Sequence, residues 1–263
     1  MDARRAQCCC LALALAGVFN PAPAAEHGAP HWGYDGDSGP AVWATLAPEY
    51  AECGAGRRQS PIDLPVAVGL DVPSEAPATL EVYHHEHSVD VVNNGHTVMV
   101  TYDEGDALTY AGKPYALVQY HLHAPSEHTV GGQHFPLELH LVHRAADGEL
   151  AVVGVLLEKG AHQSGFDPVL AHLPRAADEQ AHVEHVAIDV DALLPAKRNA
   201  YAYLGSLTTP PCTEGVHWLV LRTPVELDAA QIEAFAAVLH DNARPVQPLG
   251  ERRVSTTGLD GAP

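Results

Sequence analysis

The stretch Gln119–Arg144, QYHLHAPSEHTVGGQHFPLELHLVHR, does most to limit what the chain can fold into. It holds two runs in which polar and apolar residues alternate, joined by a segment rich in turn-forming residues. On a β-strand, residues i and i+2 face the same way. Gln119, His121 and His123 therefore share one face of the first run, with Tyr120 and Leu122 on the other. In the second run Glu138, His140 and Val142 share a face, opposite Leu137, Leu139 and Leu141. Pairing the runs with these polar faces together brings three imidazoles to one point. That is the ligand set that leaves a tetrahedral Zn²⁺ ion one open position, the mark of a catalytic rather than a structural site.

A single His-x-His is weak support on its own, because the chain has 18 histidines and most of them serve other ends. The neighbours add weight. Gln119 and Glu138 each stand two residues before a candidate ligand on the same face, where they can accept the ring N–H turned away from the metal and so fix the tautomer. A carboxylate such as Glu138 inside a leucine-rich strand is costly to bury without a partner, and an imidazole supplies one. The group His84, His85 and His87 is an alternative metal site, though it reads better as a solvated or weakly metal-binding patch along a strand edge.

The N-terminus has the pattern of a secretory signal peptide, residues 1–24: Arg4 and Arg5, the apolar run Cys8–Phe19, then Ala22-Pro23-Ala24 as a cleavage site. The apolar run is too short to span a bilayer, so no membrane insertion is expected after cleavage. The expected location is periplasmic or secreted, and Arg4-Arg5 leaves twin-arginine export open beside the general route. Cleavage removes one acid and two arginines, so the formal charge of −19 becomes −20. Such a surface argues against nucleic-acid and anionic-membrane partners. Cleavage also leaves only Cys53 and Cys212, and two cysteines in an exported protein point to one disulfide.

Residues 25–263 read as a single mainly β domain with peripheral helices, since no linker divides them. Strands are expected at Leu80–Tyr83, Ser88–Val92, Thr97–Tyr102, Tyr115–His123, Leu137–His143, Leu150–Leu157 and Val216–Leu221. Trp43 falls on a short helix, Ala41–Leu46. One longer helix follows Asp228, capped with Gln231 as reciprocal partner and carrying Ile232, Phe235, Ala236 and Leu239 as its apolar stripe. Ser255–Pro263 reads as a frayed tail.

With the histidines in place, further motifs complete a pattern. In order they are His31-Trp32-Gly33-Tyr34, Arg58-Gln59-Ser60-Pro61-Ile62-Asp63, Asn93-Asn94-Gly95-His96, Ser126-Glu127-His128-Thr129-Val130, Glu138-Leu139-His140-Leu141-Val142-His143, Ser206-Leu207-Thr208-Thr209-Pro210-Pro211 and Gln247-Pro248-Leu249. Together they resemble the α-class carbonic anhydrases, and the short link His123–Glu127 resembles the bacterial members. The resemblance implies a large twisted, mostly antiparallel central sheet and zinc-dependent, reversible hydration of carbon dioxide to bicarbonate and a proton, by a monomer or homodimer.

By position, the resemblance makes His121, His123 and His140 the zinc ligands, with Gln119 and Glu138 as acceptors behind them. Thr208 matches the gatekeeper that accepts a hydrogen bond from the fourth ligand and donates its own proton to a buried carboxylate, here Glu127. Val142, Val152, Leu207, Val216 and Trp218 match the apolar pocket for carbon dioxide, and Thr209 the residue that meets bicarbonate. Tyr34 and Asn94 match residues that order water, and His96 the proton shuttle, whose unperturbed pKa near 6.5 suits it to take and release a proton. Met99 departs from the pattern, standing where relatives often carry a small polar residue. Two rivals are a related binding domain that has lost the metal, which would lack a zinc histidine, and a histidine-rich metal buffer, which would bind several ions weakly.

Overall fold

The computed structural model describes residues 31–66, 78–81, 87–102, 106–186 and 189–259. The expected signal peptide, most of the His84, His85 and His87 group and the end of the Leu80–Tyr83 strand lie outside the described residues. Two short helices come first, α1 (Trp43–Leu46) and α2 (Glu52–Ala55). Strands follow: β1 (Asp63–Leu64), β2 (Ala78–Glu81), β3 (His87–Asn93), β4 (Val98–Tyr102), β5 (Ala107–Tyr110), β6 (Lys113–His123), β7 (Thr129–Val130), β8 (Gln133–His134), β9 (Leu137–Arg144) and β10 (Leu150–Lys159). The second half holds α3 (Asp167–Ala171), β11 (Gln180–Val186), β12 (Asn199–Ser206), β13 (Glu214–Leu221), β14 (Val225–Leu227), α4 (Ala229–Leu239) and β15 (Ser255–Gly258).

The main sheet runs β11-β3-β4-β6-β9-β10-β13-β12-β15, with β14 also on β10 and β2 joined through β5 to β6. Pairing is antiparallel except that β10 runs parallel to β13 and β14. This is the mainly β fold with peripheral helices that the sequence leads one to expect. The centre of the sheet, β9 and β10, is buried on both faces, so β10 reads as a continuous apolar run, LAVVGVLL, rather than an alternating one.

The alternation in β9 sorts its side chains. Leu137, Leu139 and Leu141 are fully buried in the larger core, with Tyr120 and Leu122 of β6, Val153 and Val155 of β10, and Phe235 of α4. Val142 faces the opposite way, against a second cluster built from Val152, Val216, Trp218 and Tyr203. Between Leu117 and Gln119, β6 carries one extra residue relative to β9. Such a bulge inverts the facing of every residue beyond it. Leu117 therefore pairs with His143 on the core side, while Gln119, His121 and His123 pair with Val142, His140 and Glu138 on the other.

Three expectations need correction. The tail is not frayed over the described residues: β15 pairs with β12 from Asn199–Gly258 to Ala202–Ser255, and Leu259 is fully buried. Helix α4 has the capping box of Asp228 and Gln231, but Ala236 is exposed and Val238 takes its place on the buried stripe with Phe235 and Leu239. Strand β12, NAYAYLGS, was not anticipated, because it is buried on both faces and its residues show no polar–apolar alternation.

Candidate active site

His121 and His140 are direct cross-strand partners in the β6–β9 ladder, and His123 stands opposite Glu138. One ligand-capable nitrogen from each of His121, His123 and His140 lies within 4.8 Å of the others. The remaining nitrogen of each ring is engaged by the protein. His121 Nδ1 donates to Gln119 Oε1 at 2.9 Å, His123 Nδ1 to the Asn242 carbonyl at 2.7 Å, and His140 Nε2 to Glu138 Oε1 at 2.9 Å. These bonds fix the tautomers and leave His121 Nε2, His123 Nε2 and His140 Nδ1 with lone pairs to give. His123 Nε2 is buried with no hydrogen-bond partner among the described residues, a costly condition that a metal ion relieves. The donor set and its outer partners thus fit a zinc ion.

A second group, His128, Glu138 and His140, is as compact, but its atoms are already satisfied. Glu138 accepts from His128 N–H at 2.8 Å, from His128 Nδ1 at 2.7 Å and from His140 Nε2. His128 Nε2 lies 2.7 Å from the Tyr203 hydroxyl, which lies 2.9 Å from Ser60 Oγ, which in turn accepts from Ser206 N–H at 3.1 Å. Glu138 can only accept, so His128 Nδ1 carries a proton; a neutral His128 then accepts from Tyr203, and Tyr203 from Ser60. One directed chain therefore ties the end of β12 to the carboxylate behind His140. Gly154 makes room for it, since a Cβ there would stand 3.2 Å from Glu138 Oε1.

Electrostatics follow burial and charge. Burial holds His121 and His123 below the usual imidazole range, which keeps their lone pairs free. Burial acts on His140 in the same sense, but the charge and hydrogen bond of Glu138 outweigh it and raise the ring. Glu138 is itself buried, yet His128 and His140 hold it well below the usual carboxylate range.

The structure places the other expected residues as follows. Glu127 is fully buried; its Oε1 accepts the Arg244 N–H at 2.9 Å. Among the described residues its Oε2 has no hydrogen-bond partner; it lies 3.6 Å from His123 Nε2 and 4.0 Å from His140 Nδ1. The expected Thr208-to-Glu127 hydrogen bond is therefore not made in this structure, because Oε2 is turned toward the histidine nitrogens. Thr208 is buried. Val152, Val216 and Trp218 belong to one buried cluster with Val142 and Leu207 packed against it, and the Trp218 ring lies 4.8 Å from His140, edge to face. Thr209 is half-buried.

At the rim, His96 stacks on Trp32 with centroids 3.8 Å apart and planes 8° apart. Burial and the neighbouring His31 lower its pKa. Asn94 is exposed and spends its side-chain oxygen on the N–H groups of His96 and Thr97, so it shapes the turn that carries His96. Tyr34 packs edge-on against Trp32 and Trp43; burial and the charge of Glu127 raise its hydroxyl far above the usual range. A pocket of about 400 Å³ opens here, lined in part by His31, Trp32, Tyr34 and His96. A larger cleft, between α2 and residues 247–252, contains none of the expected site residues. Cys53 and Cys212 form the expected disulfide.

Sequence reasoning passed over Asn242, His128, Tyr203 and Arg244. Of these only His128 sat inside a motif already singled out; the others come from distant segments whose approach nothing local announces.

A family model described as eukaryotic-type carbonic anhydrase matches residues 38–258. A carbonic anhydrase from Nostoc sp. is 42% identical over 224 residues, covering 85% of each chain. One from Neisseria gonorrhoeae is 41% identical over 234 residues, covering 88% of this chain and 90% of that one. Among solved structures, the α-carbonic anhydrase of Thermovibrio ammonificans, in complex with the inhibitor sulfanilamide, superposes with a TM-score of 0.80 at 42% identity, covering 88% of this chain and all of that one. The chain belongs to the carbonic anhydrase family. As a carbonic anhydrase it is a lyase, a carbonate dehydratase, acting on carbon dioxide and bicarbonate. Among the described residues no helix is long and apolar enough to cross a membrane.

Proposed function

We propose that this carbonic anhydrase is an exported zinc enzyme whose ion is held by His121, His123 and His140. The observation that carries the reading is the shared orientation of three rings, each with one nitrogen bound to a protein acceptor and the other turned to a common point. Zinc held there would supply Lewis acidity and acidify a bound water to a pKa of about 7.

The chain's own residues do the rest. Gln119, the Asn242 carbonyl and Glu138 hold the imidazoles in register. His123 Nε2 and His140 Nδ1 would hold the ion, which would leave Glu127 Oε2, now 3.6 Å and 4.0 Å from them, to accept from the Thr208 hydroxyl. An ionised carboxylate only accepts, so Thr208 donates to it and offers the site a lone pair; ligands without a proton to share are disfavoured there. The wall of Val142, Val152, Leu207, Val216 and Trp218 suits an uncharged substrate, and Thr209 at its edge meets the bicarbonate product. His96 carries the released proton to solvent, across water ordered by Tyr34 and Asn94. The signal-like residues 1–24 and the disulfide support a periplasmic or secreted location.

The test is zinc stoichiometry together with carbon dioxide hydration on the mature protein. One tight zinc with activity is expected, and His140→Ala should lose both, since two histidines hold the ion poorly against chelators. Several weak ions without activity would favour a metal buffer, and full activity in His140→Ala would remove this site from consideration.

A further inference from the structure

The loop that carries Thr208 and Thr209 runs between β12 and β13, and its attachment to the rest of the molecule is uneven. The ladder at its foot slips in register between Gly205 and Ser206, so Ser206 pairs with Glu214. Beyond that foot the loop is closed by its own backbone: Leu207 N–H donates to the Thr213 carbonyl at 2.9 Å, and Cys212 N–H to the Thr209 carbonyl at 2.8 Å. Cys212 sits at φ 60°, a left-handed conformation that a residue other than glycine keeps only where its surroundings enforce it.

What enforces it comes from residues 53–60. Besides the disulfide, Gln59 Nε2 donates to the Cys212 carbonyl at 3.0 Å. The Glu214 carboxylate fills a nest of donors: Arg58 N–H at 2.5 Å, Arg58 Nε at 3.2 Å and Gln59 Nε2 at 3.3 Å. Its side chain is 13% exposed while that of Arg58 is 49% exposed, so this ion pair is held mainly by fixed amide donors and not by a mobile surface charge. Glu214 follows Thr213 directly, and Thr213 is the acceptor that closes the loop onto Leu207, next to Thr208.

We propose that Glu214 is a positioning residue for the reaction: by docking its carboxylate on Arg58 and Gln59 it fixes the foot of the loop and thereby the place at which Thr208 presents its hydroxyl. This rests on the reading of Thr208 given above. Glu214 belongs to neither the three-histidine group nor either hydrophobic cluster, and it borders the large solvent cleft beside α2.

The test compares Glu214→Gln, Arg58→Ala, Thr208→Val and the wild type, each zinc-loaded. Glu214→Gln keeps the shape and an oxygen for the two amide donors, but it removes the charge and turns an NH2 donor toward Arg58 Nε. It should keep one equivalent of zinc and lose about ten- to a hundredfold in kcat/KM, the scale expected for a catalytic group displaced by up to about 1 Å. A second readout reports on Thr208 itself. Azide has no proton to share, whereas a primary sulfonamide has one, so loosening Thr208 should tighten azide inhibition and weaken sulfonamide inhibition, moving their ratio about tenfold in the direction seen with Thr208→Val. A loss of global stability alone would not move that ratio. Arg58→Ala, which keeps the backbone donor at 2.5 Å, should give a smaller shift of the same sign. If the ratio and kcat/KM in both Glu214→Gln and Arg58→Ala equal those of the wild type while Thr208→Val is impaired, the positioning role is wrong. If Thr208→Val is itself unimpaired, the Thr208 reading falls and this proposal with it.

Discussion

His96 shows how little a residue's identity says until its surroundings are known. Its ring lies flat on Trp32 in the rim pocket, and its backbone carbonyl accepts from Asn242 Nδ2 at 2.9 Å. Asn242 is the same residue whose carbonyl fixes His123, so the turn that carries His96 and the ring of His123 share one anchor. If His96 exports the proton, His96→Ala should lower kcat at low buffer, by less than the roughly 10²–10⁴-fold that a positioned acid-base group can supply, because Met99, the cross-strand partner of His121, offers no polar group. The ratio kcat/KM should hold, since hydration precedes proton export, and added imidazole should restore kcat. Equal loss in kcat and kcat/KM would point to damage at the metal instead. At this scale His121 and His140 with their acceptors Gln119 and Glu138 were legible, because each pair sits two residues apart on one strand. Asn242, Tyr203 and Arg244 were not, because each meets the site only after segments 75 to 119 residues apart have packed.

Among elements, legibility followed the number of buried faces. Strands β6 and β9 alternate and could be read, down to which face carries the histidines; the bulge at Leu117–Gln119 that keeps their phase has no signature in composition. β12 escaped because both of its faces are buried, and β15 because Ser-Thr-Thr-Gly has little apolar character of its own. What holds β15 is its four-residue pairing with β12 and the residue just after it. Leu259 is fully buried in the larger core, its N–H donates to Arg198 and its carbonyl accepts from Leu80. Leu259→Ala should therefore cost about 2–5 kcal/mol in urea unfolding, as for other buried leucines truncated in a packed core. A loss below a few tenths of a kcal/mol would restore the frayed-tail reading.

For the molecule as a whole, acid stability depends in part on a buried histidine outside the three-histidine group, His143. His143 lies on the leucine face of β9, fully buried, with Nδ1 donating to the Leu141 carbonyl at 3.0 Å, and burial pushes its pKa down to about 4. In the unfolded chain it titrates near 6.5. Between these values the unfolded state binds a proton that the folded state refuses, so stability rises with pH across the window and is lost as pH falls from 6.5 toward 4. The gap corresponds to roughly 3 kcal/mol. Other groups titrate in the same range, and His140, raised by Glu138, acts in the opposite sense. They cancel when the wild type is compared with a variant that differs only at this position. His143→Asn keeps a donor and carries no titrating group. Whatever it costs at pH 8, the stability difference between wild type and variant should fall by roughly 3 kcal/mol on going from pH 7.5 to pH 4. Parallel stability curves over that range would mean that His143 takes up its proton without unfolding the strand that carries His140.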